Sequence, residues 1–406
     1  MTVTLDDIKS AADQIAGEVV KTPVVHSSVL SEMVGAEIYL KLENLQRTGA
    51  FKDRGALVKL KSLKSDAMQK GVIAVSAGNH AQGVALHAKR LGIPATIVMP
   101  KDTPFTKVNR TQALGARVVL HGDTVNECIP FANVMMEKEG LTFVHPFDDE
   151  LIIAGQGTIG LEILEVVPDL DAIICPIGGG GLISGVATAT KAIRTHTEVF
   201  GVEAELFPSM YQAIHGLEST AGRETIAEGI AVKEPGKITQ PIVEDLVDGI
   251  FLASELAIES AIETMLDQTK TVVEGAAAAP LAALMEHKAR FAGKKVALIV
   301  SGANISSRLL ASILMRSLVR TGRITRLRIT MSDNPGALAS VAGHIGDTGG
   351  NIVEIIHQRM FYDVPVKSTQ ADIVVETRDQ SHVREIVTRL SAAGFPCRQL
   401  GDTAAG

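Results

Sequence analysis

The sequence predicts an α/β protein over roughly residues 1–320, followed by a small ferredoxin-like α+β part over about 325–402. Three observations carry this. Short β-branched runs lead repeatedly into Gly/Ser turns and then into Ala-rich helical stretches. Those runs do not alternate between apolar and polar residues, as expected of parallel strands buried on both faces. Near residue 320 the pattern changes to short strands that do alternate.

The chain opens on a helix, with Thr4 placed to cap it and Asp6 and Asp7 suited to its positive end. From about residue 71 the strand–turn–helix pattern begins: GVIAVSAGNHAQGVALHAKRLG, PATIVMP, ARVVLHG, DAIICPIGGGGLISGVATATKAIR, VFGVEAE and KKVALIVSGANISSRLLASILM. The basic stretch LVRTGRITR then breaks the helical pattern. After it, RLRITM reads as a strand, SDNPGALASVAGHIGDTGG as a turn and helix, NIVEIIHQRMF and ADIVVET as strands, and DQSHVREIVTRLSAAG as a helix before a short apolar tail. That order is βαββαβ.

Composition narrows the classes. A net charge of −7 argues against a protein that tracks nucleic-acid phosphates. Three scattered cysteines, Cys128, Cys175 and Cys397, make neither a disulfide framework nor a cysteine-rich metal site, and a reducing compartment is expected. The acidic N-terminus lacks a signal-peptide pattern, and no apolar run has the length of a membrane span. A cytoplasmic protein is the expectation. With 3% aromatics and no Trp, its core must be aliphatic.

Three strands end in small-residue loops: Ser76-Ala77-Gly78-Asn79-His80, Gly178-Gly179-Gly180-Gly181 and Ser301-Gly302-Ala303-Asn304. Ligands of open parallel sheets bind beyond the carboxyl ends of strands, and helix N-termini offer free N–H groups to anions. Successive glycine N–H groups can converge on a phosphate. Tight strand–helix packing is the other reading of the run. A dinucleotide site is a further rival, with Glu203 where a ribose-binding acid would sit, but the third glycine of that fingerprint falls on Ile183 or Ser184. Lys52, beside Phe51 and between Gly49 and Gly55, is a candidate nucleophile for a carbonyl if its surroundings are partly dry. A phosphate cradle with a Schiff-base lysine is the minimal kit for pyridoxal phosphate.

At these residues the chain resembles the fold type II pyridoxal-phosphate enzymes, and closely the threonine dehydratases (threonine ammonia-lyases). AFKDRGA, SAGNHAQGVA, HPFDDELIIAGQGTIGLEI, GGGGLISG and SGAN are similar to that family's motifs, in its order, across nearly all of residues 1–320. The resemblance implies two parallel-sheet subdomains, the smaller at roughly 50–150, with the cofactor between them. It implies Lys52 as the covalent holder of the cofactor, Phe51 packed on its ring, Asn79 on its phenolic oxygen, and Ser301 on its pyridine nitrogen. Gly178, Gly179, Gly180, Gly181 and Leu182 would give N–H groups to the phosphate. Ser76, Ala77, Gly78, Asn79 and His80 form the loop that would receive the substrate carboxylate. Gly229 and Glu274 resemble further pocket positions; a helix-start acid is the other reading of Glu274, and a packed histidine that of His80.

The implied reaction is α,β-elimination from threonine or serine, giving a 2-oxo acid and ammonia. The neutral Ser301 hydroxyl is too weak an acid to protonate the ring, which favours loss of the β-substituent. In the related serine racemases a serine stands where this chain has Ala77, and a methyl group cannot exchange a proton. Those relatives also hold a divalent cation. Glu203 matches one of its ligands, but Phe207 and Ser209 fall at the others, so no metal site is expected. An amino-acid-binding protein with a silent cofactor pocket is the non-enzyme alternative.

The C-terminal part resembles an ACT domain at Asp333-Asn334-Pro335-Gly336 and at Asn351-Ile352. That implies an amino-acid effector, a branched-chain one such as isoleucine or valine first, bound between paired copies of a homodimer or homotetramer. A pairing unit without a ligand is the other reading.

Overall fold

The computed structural model describes residues 3–220, 222, 224–357 and 367–400. The chain divides into two compact units, residues 1–305 and 306–406. The helix Ser307–Arg320, on the near side of the boundary expected at about residue 320, is counted with the second unit.

The first unit contains two sheets. The chain enters the larger through β1 (Val24–His26) and β2 (Glu37–Leu42), then leaves to build the smaller from β3 (Val72–Val75), β4 (Ala95–Met99), β5 (Arg117–Leu120) and β6 (Thr142–Phe143). It returns with β7 (Ala172–Pro176), β8 (Glu198–Ala204), β9 (Gly249–Ala253) and β10 (Lys295–Val300). The smaller sheet has the order β5-β4-β3-β6 and is parallel throughout. The larger has the order β1-β2-β10-β7-β8-β9 and is parallel except where β1 pairs antiparallel with β2. Every residue of β3, β4 and β7 is buried, which is why these strands read as unbroken apolar runs. The cores are aliphatic: one is built on Ile173, Ile177, Ile183, Val186 and Ile299, another on Leu60, Val72, Val84, Ile97 and Met99. The opening helix, Leu5–Ile15, carries the capping box of Thr4 and Asp7.

The helix Lys52–Lys61 packs against both Asn79–Leu91 and Glu150–Val166. Its approach to the latter is close enough to require glycine on both sides, since a Cβ on Gly155 would lie 2.6 Å from the Gly55 Cα.

In the second unit, β11 (Ile324–Ser332), β12 (Asn351–His357), β13 (Ser368–Glu376) and β14 (Cys397–Gln399) form an antiparallel sheet of order β12-β13-β11-β14. Helices Ala337–Gly346 and Gln380–Ala392 follow β11 and β13, completing βαββαβ around a core of Leu327, Ile329, Val341, Ile373 and Ile386. The end of the expected strand NIVEIIHQRMF, from Gln358 on, lies outside the described residues. Among the described residues no helix is long and apolar enough to cross a membrane.

Candidate active site

A short backbone ladder sets the lysine. Ala50 and Gly302 face each other in an isolated antiparallel bridge. The Phe51 N–H donates to the Ser301 carbonyl at 3.0 Å, and the Ala303 N–H donates to the Gly49 carbonyl at 2.9 Å. The start of the Lys52 helix is thereby held against the loop that ends β10, and Lys52, Phe51 and Ser301 come together. Lys52 Nζ donates to the Pro146 carbonyl at 2.6 Å and stands 5.1 Å from the centre of the Phe51 ring. Loss of water around the ammonium lowers its pKa from 10.5 to about 8, against an opposing pull from Glu274.

The loop after β3 joins the same place. Asn79 opens the helix Asn79–Leu91, and its Nδ2 donates to Glu274 Oε1 at 2.7 Å. Asn304 Nδ2 donates to Asn79 Oδ1 and to the Thr48 carbonyl, both at 2.8 Å. Glu274 precedes the helix Gly275–Glu286, and its N–H donates to the Gly302 carbonyl at 3.1 Å. Its carboxyl is packed against two glycines: a Cβ would lie 2.6 Å from Oε1 on Gly302 and 3.3 Å on Gly229. Burial raises the Glu274 pKa to about 7, while hydrogen bonds from Asn79 and the Asn304 backbone hold it down. Glu274 is thus both a helix-start acid and part of the site.

Ser76, Ala77 and Gly78 are partly exposed, and the Ser76 hydroxyl accepts from the Gly78 N–H at 3.2 Å. The His80 ring is buried and hydrogen-bonds the Val144 carbonyl at 2.9 Å through Nε2; burial and the Lys52 charge lower its pKa to about 3. It is therefore a neutral packed histidine, and what position 80 offers the loop is a backbone N–H in the first helical turn.

The glycine run ends β7 and opens the helix Gly181–Ile193, with Leu182 in its first turn. Gly180 has φ +94°, and a Cβ there would lie 2.6 Å from Met210 Cε and 2.7 Å from Thr239 Oγ1. A Cβ on Gly178 would lie 3.3 Å from the Gly229 carbonyl, so Gly229 sits between the run and Glu274. The Gly179 carbonyl is taken by Thr239 Oγ1 at 2.6 Å and the Gly236 N–H at 3.2 Å, which fixes the loop from behind.

The segment His145–Asp148 ties the lysine to this loop, a role the sequence did not suggest although HPFDD was legible. The Pro146 carbonyl accepts from Lys52, and Phe147 packs where Gly179 and Gly181 lack side chains. Asp148 accepts from the Lys237 and Ile238 N–H groups at 3.0 and 2.8 Å. The residues present fit pyridoxal phosphate: a partly buried lysine amine with a lowered pKa, glycine N–H groups at the start of a 13-residue helix for a dianion, and a neutral hydroxyl at Ser301.

Glu203 and the motifs of the second unit lie elsewhere. Glu203 accepts from the Met210 and Tyr211 N–H groups, each at 2.8 Å, and from Ser209 Oγ at 3.4 Å. Both its carboxylate oxygens thus serve the first turn of the helix Ser209–Ile214, and neither a ribose nor a cation role is needed to account for it. In the second unit, Asp333, Asn334 and Gly336 form the turn after β11, whereas Asn351 and Ile352 open β12. Asn351 shares a row with Glu376 and Ile324, and Ser332 pairs with Ser368 eight residues further along. The two motifs therefore lie at opposite ends of the sheet, about 27 Å apart at 3.4 Å per residue, and one copy of the chain does not bring them together.

Residues 15–302 match the family described as pyridoxal-phosphate dependent enzyme. The chain is 44% identical over 401 residues to an L-threonine ammonia-lyase of Thermotoga maritima, covering 98% of this chain and 100% of that protein. Among solved structures, a T.th. threonine deaminase superimposes with a TM-score of 0.71 at 41% identity, covering 75% of this chain and 99% of that one. A serine racemase from Dictyostelium discoideum gives 0.71 at 37%, covering 75% and 100%. The two-sheet first unit has the fold type II architecture of these neighbours, and the chain belongs to the pyridoxal-phosphate dependent enzymes.

Proposed function

We propose that this chain is a threonine ammonia-lyase, converting L-threonine to 2-oxobutanoate and ammonia and acting also on L-serine to give pyruvate. The observation that carries this reading is the match to an L-threonine ammonia-lyase through both units, 98% of the chain. When bound, pyridoxal phosphate supplies an electron sink for the charge left at a substrate carbon that loses its proton. The roles that follow belong to the chain's own residues. Lys52, its pKa lowered to about 8, presents a useful fraction of free amine near neutral pH and takes the Cα proton. The first-turn N–H groups after Gly78 receive the substrate carboxylate. Asn79 would donate to the cofactor's phenolic oxygen, and the 178–182 loop would hold its phosphate. Ser301 would offer the ring nitrogen a neutral hydroxyl, and Phe51 would cover the ring.

Ala77 favours elimination over racemisation, since nothing at that position exchanges a proton. The test is release of ammonia and 2-oxobutanoate from L-threonine, with chiral analysis of residual serine after partial turnover. Racemisation as fast as elimination would replace this reading with that of a serine racemase.

The second unit is read as an ACT-like regulatory domain in a cytoplasmic homodimer or homotetramer. The separation of Asp333-Asn334-Gly336 from Asn351-Ile352 supports an effector bound between copies, because two copies paired antiparallel along the edge strand β12 set the turn of one beside the strand start of the other. An effector acts only through different affinities for two states, typically worth about 1–3 kcal/mol. Threonine saturation curves with each common amino acid, isoleucine and valine first, test this. No shift with any of them would leave a pairing unit without a ligand.

A further inference from the structure

Asn304 closes the SGAN motif, and neither the reaction nor the cofactor cradle above assigns it a role. Its amide nitrogen has two protons, and both face oxygens: the Thr48 carbonyl at 2.8 Å and Asn79 Oδ1 at 2.8 Å. The reversed amide would set its own oxygen against the Thr48 carbonyl, so its orientation is fixed by a main-chain group that cannot change sign. Asn304 Oδ1 meanwhile lies 3.5 Å from Arg110 Nη1, a donor. The orientation of Asn79 follows. Its Oδ1 must receive the Asn304 proton, so its Nδ2 faces Glu274 Oε1 at 2.7 Å with one proton and keeps a second. Without Asn304, a protonated Glu274 could donate to Asn79 Oδ1, and the amide would turn over. Glu274 takes a proton near pH 7, so that alternative is accessible under ordinary conditions.

We propose that Asn304 is a positioning residue for Asn79: it locks the Asn79 amide with Nδ2 toward Glu274 and the site, keeping Asn79 a hydrogen-bond donor whether or not Glu274 carries a proton. The inference rests on the reading of Asn79 as a donor to the bound cofactor. It adds that the direction of this donor is set from the Thr48 carbonyl through Asn304.

The test is a double-mutant cycle on Asn304→Ala, Asn79→Ala and the pair. It is read by the equilibrium affinity of the cofactor-free proteins for pyridoxal phosphate and by the pH midpoint of the bound cofactor's visible absorbance. Asn304→Ala should weaken cofactor binding about fivefold, as loss of roughly one oriented hydrogen bond does, and shift the midpoint. In the Asn79→Ala background the same change should do neither. Asn304→Asp, which presents only acceptors when ionised, should act in the same direction and at least as strongly. Asn304→Ser supplies the comparison if the alanine variant does not fold. Wild-type affinity and midpoint in Asn304→Ala overturn the proposal. So does an effect of undiminished size in the Asn79→Ala background, which would make Asn304 merely structural. If Asn79→Ala alone leaves affinity and midpoint unchanged, the reading of Asn79 itself fails, which is a separate result.

Discussion

Arg54, two residues after the lysine, offers the sharpest test of what holds the site in place. It is fully buried, and all five of its N–H groups are used. Nε and Nη2 donate to the two oxygens of Glu43, each at 2.8 Å; Nη1 and Nη2 donate to Glu162 at 2.7 and 2.8 Å; and Nη1 also donates to Thr158 Oγ1 at 3.0 Å. Lys41 Nζ pairs with Glu162 and donates to the Thr22 carbonyl at 2.8 Å, while Thr22 Oγ1 donates to Glu43. Two cations and two anions make a neutral set. Arg54→Leu leaves two carboxylates facing one ammonium in the interior, a change that costs about 3–5 kcal/mol. At about 2–4 °C per kcal/mol for a unit of this size, the melting transition should fall by roughly 6–20 °C. Calorimetry of the cofactor-free protein reads it directly. Arg54→Lys keeps the charge but loses the fork, and should fall between wild type and Arg54→Leu. A transition in Arg54→Leu within about 2 °C of wild type would refute the claim that this set anchors the helix.

Other expectations follow from the titrating groups and the loop. Lys52 has a pKa of about 8 folded against 10.5 unfolded, so below pH 8 the fold bears the cost of a partly buried ammonium. Lys52→Met should stabilise the cofactor-free chain at pH 7 by up to about 3 kcal/mol, the gain fading between pH 8 and 10.5, where wild type sheds this proton before the unfolded chain does. Glu274 has the opposite sign. Its pKa of about 7 exceeds the unfolded value of 4.5, so it supports the fold fully below pH 4.5 and loses that support as pH rises to 7. Denaturant midpoints measured across this window should fall less steeply in Glu274→Gln than in wild type, the remaining slope coming from Asp53 and Glu203, whose pKa values burial also raises, to about 6 and about 7. Gly180→Ala would place a Cβ 2.6 Å from Met210 Cε at a φ of +94°, and should cost about 1–3 kcal/mol while weakening cofactor binding in equilibrium dialysis.

The α/β fold was legible because strands buried on both faces read as unbroken apolar runs, and the three loops because glycine and serine punctuate their ends. The two-residue β6 and the antiparallel addition of β1 left no such mark. Within the site, Lys52, Asn79, Ser301 and the glycine run stood out as residue types in motifs. The contacts that place them run largely through main-chain groups. Pro146 holds Lys52 by its carbonyl from 94 residues away, and Thr48 orients Asn304 by its carbonyl from 256 residues away. Sequence names side chains but not which carbonyl will face them. The placing of the regulatory motifs was hidden for a related reason: strand order, and not spacing along the chain, decides which end of a sheet each turn occupies.

The motif AFKDRGA sets three charges in succession, and the fold sends them three ways. Arg54 goes to Glu43 and Glu162 behind the helix. Asp53 turns to Thr48, accepting from its hydroxyl at 2.5 Å and its N–H at 3.2 Å, and burial raises its pKa to about 6. Lys52 alone faces the site, and its acceptor, the Pro146 carbonyl, is neutral. It is also the first residue of its helix, at the end whose partial charge is positive and disfavours a cation. The neighbouring carboxylate that could have offset this is committed elsewhere. Turning Asp53 away from Lys52 therefore bears on chemistry as well as packing, because it withholds from the ammonium a further counter-charge, besides Glu274, that would raise its pKa. An Asp53→Asn substitution should consequently leave the pKa of Lys52 nearly unchanged, whereas Glu274→Gln, which removes the carboxylate whose charge does act on Nζ, should lower it. Titration of Lys52 by the pH dependence of its reaction with a small aldehyde, in cofactor-free protein, measures both. A large fall in Asp53→Asn would mean that the carboxylate does support the ammonium and that the charges are not segregated in this way.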